Sequence, residues 1–317
     1  MAWYENVAAA EIALLRLEDA RYIIHLGFSR KLDDPAMHTS LYALAFLRGD
    51  AGAMRHEMEW SVGKAGGEDA MLALEADTEA YTGHLRKARE LSRRAVQAAQ
   101  AANLAEPAAI WQGIAALREA IYGKIEEARA QAGQVLDLAP NSRDAQTLAI
   151  LVFARTGDLR KARRMVDDLA AAHVSSTVVQ SAWLPTIRAQ FSLLNQQPSQ
   201  AADLLEATRP YERGQLIGNL SYSCMIPVYL RGEAYLAMKR GALALAEFQK
   251  LGDNQGVVGN CWSGALALLG QGRAQAMSGS ANAARNSYRR FLDLWKTADP
   301  DLPILKSARA EFAKLKP

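Results

Sequence analysis

The octapeptide TGHLRKAR, Thr82 to Arg89, returns as TGDLRKAR, Thr156 to Arg163, with one position of eight changed. Neither copy holds a nucleophile, a metal-ligand set or a phosphate cradle, so the duplication reads as architecture. Taking Gly83 and Gly157 as one turn position, equivalent turns fall at Leu15, Gly49, Gly123, Gln196, Lys239 and Gly279. The eight anchors are spaced by 34, 34, 40, 34, 39, 43 and 40 residues. Self-similarity at a period of roughly 20 to 50 residues is the mark of stacked helical or strand repeats. It removes most single-core folds from consideration.

Five residues after the anchors stand Ala20, Met54, Ala88, Ala128, Ala162, Ala201, Ala244 and Ala284. Seven residues before them stand Ala8, Tyr42, Ala76, Ala116, Ile150, Ala189, Gly232 and Gly272, six of them small. Small residues at two fixed points let helices approach closely. The position nine after the anchor is larger in Ile24, Met58, Val166, Leu205, Phe248 and Tyr288, with Ser92 and Ala132 as exceptions. The unit is then a helix, a tight turn and a second helix whose apolar stripe, as in Leu159, Ala162, Val166 and Leu169, follows helical spacing. Such a hairpin cannot bury its apolar face alone, so neighbours must stack into one continuous core.

Composition agrees. Ala-rich windows with only 7% aromatic residues carry a low summed helix cost, and almost no strand is expected. The 37 basic against 34 acidic residues give a net charge of +3, too small to imply nucleic acid or a membrane surface. The start, MAWYENVAAAEIALLRLEDA, lacks a basic leader and is broken by Glu5, Glu11 and Arg16. No run approaches the roughly 18 apolar residues of a spanning helix. Cys224 and Cys261 have no C-x-x-C spacing, so they read as small buried hydrophobes, with a bridge between neighbouring helices as the alternative.

The offsets of the small residues, the turn and the large apolar position resemble the tetratricopeptide repeat. The best copies are Ala116 to Pro140 and Gly272 to Tyr288. The resemblance implies an all-α, right-handed α-α superhelical solenoid of about eight hairpins plus a C-terminal helix. As a single domain over 1–317, repeats are expected near 1–34, 35–68, 69–108, 109–142, 143–181, 182–224, 225–264 and 265–298, with a terminal helix over 302–316. FLDLWKTADPDLPILKSARAEFAKL, Phe291 to Leu315, together with KLDDPAMH, ALEADTEAY, AWLPTIRAQ, RPYERG, YLRGEAYLA and AEFQK, also resembles repeat regions at the C-terminal end of bacterial receptor-like serine/threonine protein kinases, those of acidobacteria above all. In that family the catalytic domain precedes the repeats. No Gly-rich phosphate loop, H-R-D or D-F-G is present here. Trp3 and Tyr4 stand exposed where a polar cap is expected, as in the tail of a longer polypeptide.

Other chemistry is thin. His25, His38, His56, His84 and His173 share no i, i+4 pair and read as surface or satisfied core residues. GNCWSGALALLGQGRA offers Cys261, Ser263, Gly270 and Gly272, but the repeat register puts it on a first helix. The basic run Leu85 to Ala95, echoed by Arg160, Lys161, Arg163 and Arg164, reads as a solvated convex face rather than a phosphate site. The breaks at RPYERGQLIGNLSY and GDNQGVVGNCW are either loops reaching over the groove or slack connectors.

By the same resemblance, positions 13, 10, 6, 3 and 2 before each anchor face the concave side. This selects Asp77, Tyr81, Leu117, Ile121, Leu151, Arg155, Trp183, Gln190, Tyr229, Glu233, Arg273 and Met277 as the partner groove. Thr39, Ala43, Ala73, Asp77 and Tyr81 stand where chaperone-binding members carry Lys, Asn and Arg, which argues against a carboxylate clamp. No catalytic, cofactor or metal residues are expected. The reading is a non-catalytic scaffold that binds a protein or peptide in bacterial signalling, cytoplasmic as the chain stands or extracytoplasmic behind a membrane-spanning kinase. A helical small-ligand sensor or enzyme and an RNA-reading repeat are the alternatives. In this frame, reversing Glu233 spares the fold and weakens partner capture. Ala162→Phe overpacks a helix contact and is expected to cost about 1 to 3 kcal/mol, read as a lower melting temperature; an unchanged melt removes Ala162 from the interior.

Overall fold

A left-handed backbone residue marks each hairpin turn. In the computed structural model, which describes residues 2–214 and 224–315, all eight anchors have positive φ, from +57° at Lys239 to +89° at Gly123 and Gly157. Leu15, Gln196 and Lys239 hold this conformation with a side chain, at a steric cost of about 1 to 2 kcal/mol each. The turns join α1 (Ala2–Ala13) to α2 (Leu17–Ser29), α3 (Pro35–Arg48) to α4 (Ala51–Ser61), α5 (Glu68–Tyr81) to α6 (Leu85–Ala101), and α7 (Ala105–Tyr122) to α8 (Ile125–Leu138). They continue from α9 (Arg143–Thr156) to α10 (Leu159–Ala172), α11 (Leu184–Leu194) to α12 (Pro198–Glu206), and α13 (Ile226–Ala237) to α14 (Gly241–Asp253). The short α15 (Gln255–Val258) precedes the last hairpin, α16 (Trp262–Met277) and α17 (Ala281–Leu294), and α18 (Pro303–Lys314) follows it. A π-helical turn, Val178–Trp183, leads into α11. Among the described residues there is no strand.

The small residues sit at the seam. Seven Ala at the position five after the turn have no exposed surface, and all eight residues seven before it are buried. A Cβ on Gly232 would lie 2.7 Å from the Phe248 ring, and one on Gly272 would lie 2.8 Å from Tyr288. In these two hairpins the large residue nine after the turn thus fills the room left by the glycine seven before it. The Ala162 side chain is fully enclosed.

The solenoid also closes on itself. The end of α17 and the loop after it lie on the turns of the third and fourth hairpins. Trp295 Nε1 donates to the Tyr81 carbonyl (3.0 Å), and the Asp299 N–H donates to the Gly83 carbonyl (3.1 Å). The Arg86 N–H donates to Asp299 (2.7 Å), while the Arg86 guanidinium and Lys124 Nζ reach Asp301 at 2.8 and 3.0 Å. A Cβ at Gly83 would lie 2.5 Å from Ala298 and 2.8 Å from Trp295, so this turn needs glycine for space as well as for its φ of +84°. At the changed position of the duplicated phrase, His84 meets Thr297 across this contact at 3.0 Å, whereas Asp158 caps its own helix.

Several expectations change here. Cys224 and Cys261 are joined by a disulfide across 37 residues rather than standing as separate hydrophobes. Tyr4 is buried beside Gly27, leaving Trp3 alone exposed at 59%. The basic run is engaged rather than freely solvated at Arg86, Lys87 and Arg89, which pair with Asp301, Glu79 and Glu119; Arg93 and Arg94 face solvent. The break GDNQGVVGNCW packs over the groove, with Asn260 donating to the Leu74 carbonyl (2.8 Å) and Thr78 (3.0 Å). In the other break, Gln215 to Ser223 lie outside the described residues.

At the far end, Arg273 grips Glu311 of α18 with two bonds of 2.8 Å, and Ser307 and Tyr288 donate to the same carboxylate. Burial works against this charge, but the donors outweigh it and hold the Glu311 pKa below its ordinary 4.5. A carboxylate depressed in the folded state adds stability that is present above its unfolded pKa and lost as pH falls through the folded one. Wild type is therefore expected to melt above Glu311→Gln at neutral pH, with the gap closing as pH drops below 4.5. Thermal melts between pH 7 and 3 (about the range in which carboxylates titrate) check this, and a pH-independent gap contradicts it.

Candidate functional site

The first helices of the first four hairpins line a cavity of about 670 Å³. Its walls follow helical spacing: Glu5, Ala9 and Ile12 on α1, Ala36, Ser40 and Ala43 on α3, and Asp69, Ala73 and Asp77 on α5. Pro107 and Trp111 of α7 continue the wall, and Gly256 and Val257 of α15 roof it, with Arg213 beside them. The roof depends on close approach, because a Cβ on Gly256 would lie 2.0 Å from the Ile12 carbonyl oxygen.

The lining is acidic. Asp69 is 3% exposed, and the Trp111 indole N–H donates to one of its oxygens at 2.9 Å. Asp34 caps α3 by accepting the Ala36 N–H (2.9 Å). Asp77 pairs with the buried Arg118, which also donates to Ser92. Burial, then the charge of Asp34, raises the Glu5 pKa above its ordinary range.

Of the groove residues expected from sequence, Asp77 lines this cavity, as do Thr39, Ala43 and Ala73. Tyr81 lies deeper, edge-on to Phe46 and under Gly264. Further along, the concave side is drawn together. Arg155 donates to Gln190 (3.2 Å) and with two bonds of 3.0 Å to Glu233, crossing from α9 past α11 to α13. Tyr229 is buried edge-on to Trp262 and Phe248; burial, then Glu233, raises its pKa. Leu117, Ile121, Leu151 and Trp183 are enclosed in the core at 6%, 6%, 3% and 1% exposure. Arg273 is held by Glu311, and Met277 is exposed. The structure thus divides the predicted groove into an open N-terminal bowl and a C-terminal half whose polar residues bind one another.

Sequence reasoning did not single out Glu5, Asp34, Asp69, Trp111 or Arg213. Glu5 was accessible, since it stands ten before Leu15, at one of the inner offsets. His38, one of the histidines expected to be surface or satisfied core residues, is of the second kind: it is 7% exposed with Nδ1 at 2.5 Å from Glu57, Nε2 at 2.8 Å from Asp33 and the Trp60 ring stacked on it. The Ser and Cys of GNCWSG have structural partners: Ser263 donates to the Cys224 carbonyl (2.7 Å), and Cys261 is in the disulfide. Among the described residues no three His, Cys, Asp or Glu side chains converge as a metal-ligand set, and no helix is long and apolar enough to cross a membrane.

No protein-family model matches the chain, and no curated protein matches it. Among solved structures, a monomeric mutant of IFIT1 with m7Gppp-AAAA superposes with a TM-score of 0.52 at 12% identity, covering 98% of this chain and 77% of that one. The human IFIT1 dimer with m7Gppp-AAAA gives 0.52 at 12% identity, covering 93% and 69%. A tetratricopeptide repeat protein from Parabacteroides merdae gives 0.47 at 12% identity, covering 87% and 99%. The fold is that of a tetratricopeptide-type helical solenoid.

Because Glu233 accepts from both terminal nitrogens of the Arg155 guanidinium, reversing its charge sets two cations face to face. The expectation that the fold is spared therefore does not stand. Glu233→Arg is expected to lower stability by about 1.5 to 3 kcal/mol, the usual worth of hydrogen bonds between charged groups at a half-buried site, and Arg155→Met in the same chain restores part of it. Chemical denaturation of the single and double variants checks the coupling.

Proposed function

We propose that this chain is a non-catalytic scaffold that captures an extended segment of a protein partner in the N-terminal bowl. The observation that carries the reading is the bowl itself: about 670 Å³, walled by the first helices of four successive hairpins, the surface that curved helical repeats offer to partners. Mixed small, apolar and charged lining suits a peptide main chain with alternating side chains. The resemblance to repeats that follow bacterial receptor-like kinase domains supports a place as the docking region of a signalling protein. The Cys224–Cys261 bridge supports an oxidising compartment, and so the extracytoplasmic alternative.

Two other readings are weighed by the same lining. IFIT1 in the superposed structures carries m7Gppp-AAAA, but here Glu5, Asp34 and Asp69, beside an Asp77 already paired with Arg118, stand against one lining arginine, which disfavours phosphates and so RNA. A small-ligand sensor draws support from the volume, which falls within the roughly 300 to 1,000 Å³ of small-molecule sites.

Ala70→Trp fills the bowl from a half-buried wall position. It is expected to keep the far-UV circular dichroism of wild type while abolishing capture of the partner from source-cell extract, scored by mass spectrometry. Undiminished capture overturns the bowl as the docking surface.

A further inference from the structure

We propose that the bowl recognises a basic peptide, seating a lysine or arginine side chain on Asp69, with Glu5 and Asp34 in the same lining. This rests on the docking reading above and names the chemistry of its occupant.

Asp69 carries the inference. It is buried to 3% exposure yet lines the cavity, and Trp111 holds only one of its oxygens. The other oxygen has no partner among the described residues. That oxygen is accessible in the cavity rather than sealed in the core, so it is free to accept a hydrogen bond from a charged donor that enters. Asp77, on the same helix face, shows the satisfied case, since Arg118 comes up from behind and neutralises it. Asp69 and Asp34 accept only from neutral donors, the Trp111 indole and the Ala36 N–H, and no ion pair among the described residues includes either. Arg213, at the rim, is exposed. Asp69 and Asp34 therefore carry negative charge that no ion pair compensates.

The rest of the lining suits a long cationic side chain. Ala9, Ile12, Leu74 and Val257 offer an apolar surface beside the carboxylates. Lysine and arginine lay their methylenes on such surface and present the charge at the end. Asp69 is also preorganised: the indole bond fixes its rotamer before any ligand arrives, so little side-chain entropy is lost on binding. Trp111 and Asp69 thus act together, one orienting and one receiving the charge.

The test uses the full chain and three fluorescein-labelled octapeptides that share a leucine and alanine pattern and carry lysine, glutamine or glutamate at two positions. Fluorescence anisotropy is expected to show the lysine peptide binding at least about tenfold more tightly than the glutamine peptide, with no binding of the glutamate peptide. Asp69→Asn keeps an acceptor for the Trp111 indole and removes the charge. It is expected to weaken the lysine peptide about tenfold, which is the loss of a charged hydrogen bond, and to leave the glutamine peptide unchanged. Glu126→Gln, at an exposed site on α8, is expected to change neither. A glutamine peptide that binds as well as the lysine peptide and is excluded by Ala70→Trp overturns the charge assignment and leaves the docking reading standing. Binding of spermine without binding of the lysine peptide overturns the peptide occupant in favour of a free amine. Failure of every peptide to bind wild type overturns both readings, and a melting curve of Asp69→Asn matching wild type excludes misfolding as the cause of its loss.

Discussion

The close approach of helices at small residues is the constraint from which the rest follows. Every hairpin buries the residue seven before its turn, and nearly every one buries an alanine five after it. Where the partner position grows to Phe248 or Tyr288, its opposite shrinks to Gly232 or Gly272, so the summed volume of the contact is kept. Interiors packed to crystal-like density leave no slack for both to be large. The tight seam sets how far each hairpin rotates from the last, and that rotation brings the first helices round to face one another.

The inner surface then meets two fates. In hairpins one to four it stays open, and its carboxylates outnumber its cations. Beyond α9 the inward residues satisfy each other, with Arg155 bridging Gln190 and Glu233. Fully bonded buried polar groups of this kind rigidify a wall rather than offer it to a ligand. The same solenoid thus carries a recognition surface at one end and a cross-braced support at the other.

What could be read from sequence was what the period repeats. The eight turns and the small seam residues recur at fixed distances, and the resemblance to the tetratricopeptide repeat added which offsets face inward, so Thr39, Ala43, Ala73 and Asp77 could be placed on the concave side without a structure. The missing parts are contacts between unlike segments far apart in the chain. Asn260 meets Leu74 across 186 residues and Arg86 meets Asp301 across 215, and neither partner carries a local signal of the other. Asp69 escaped because its role depends on Trp111 from another hairpin and on the absence of a nearby cation. His38 was read as a surface or satisfied core histidine, but its partners were not legible, because its carboxylates come from a loop and from the following helix rather than from a spaced motif.

The seat of Trp295 on the turn at Gly83 alters how the molecule holds together. An open stack of repeats responds to damage locally, since each unit leans only on those beside it. Here the last hairpin leans on the third and fourth as well, so the chain is fastened like a belt at a buckle far from its own end. Trimming residues from the C-terminus would strip the cover from Tyr122 and from the Tyr81 carbonyl, more than two hundred positions upstream for the latter. The array has exchanged modularity for a shared fate of its last hairpin and its middle.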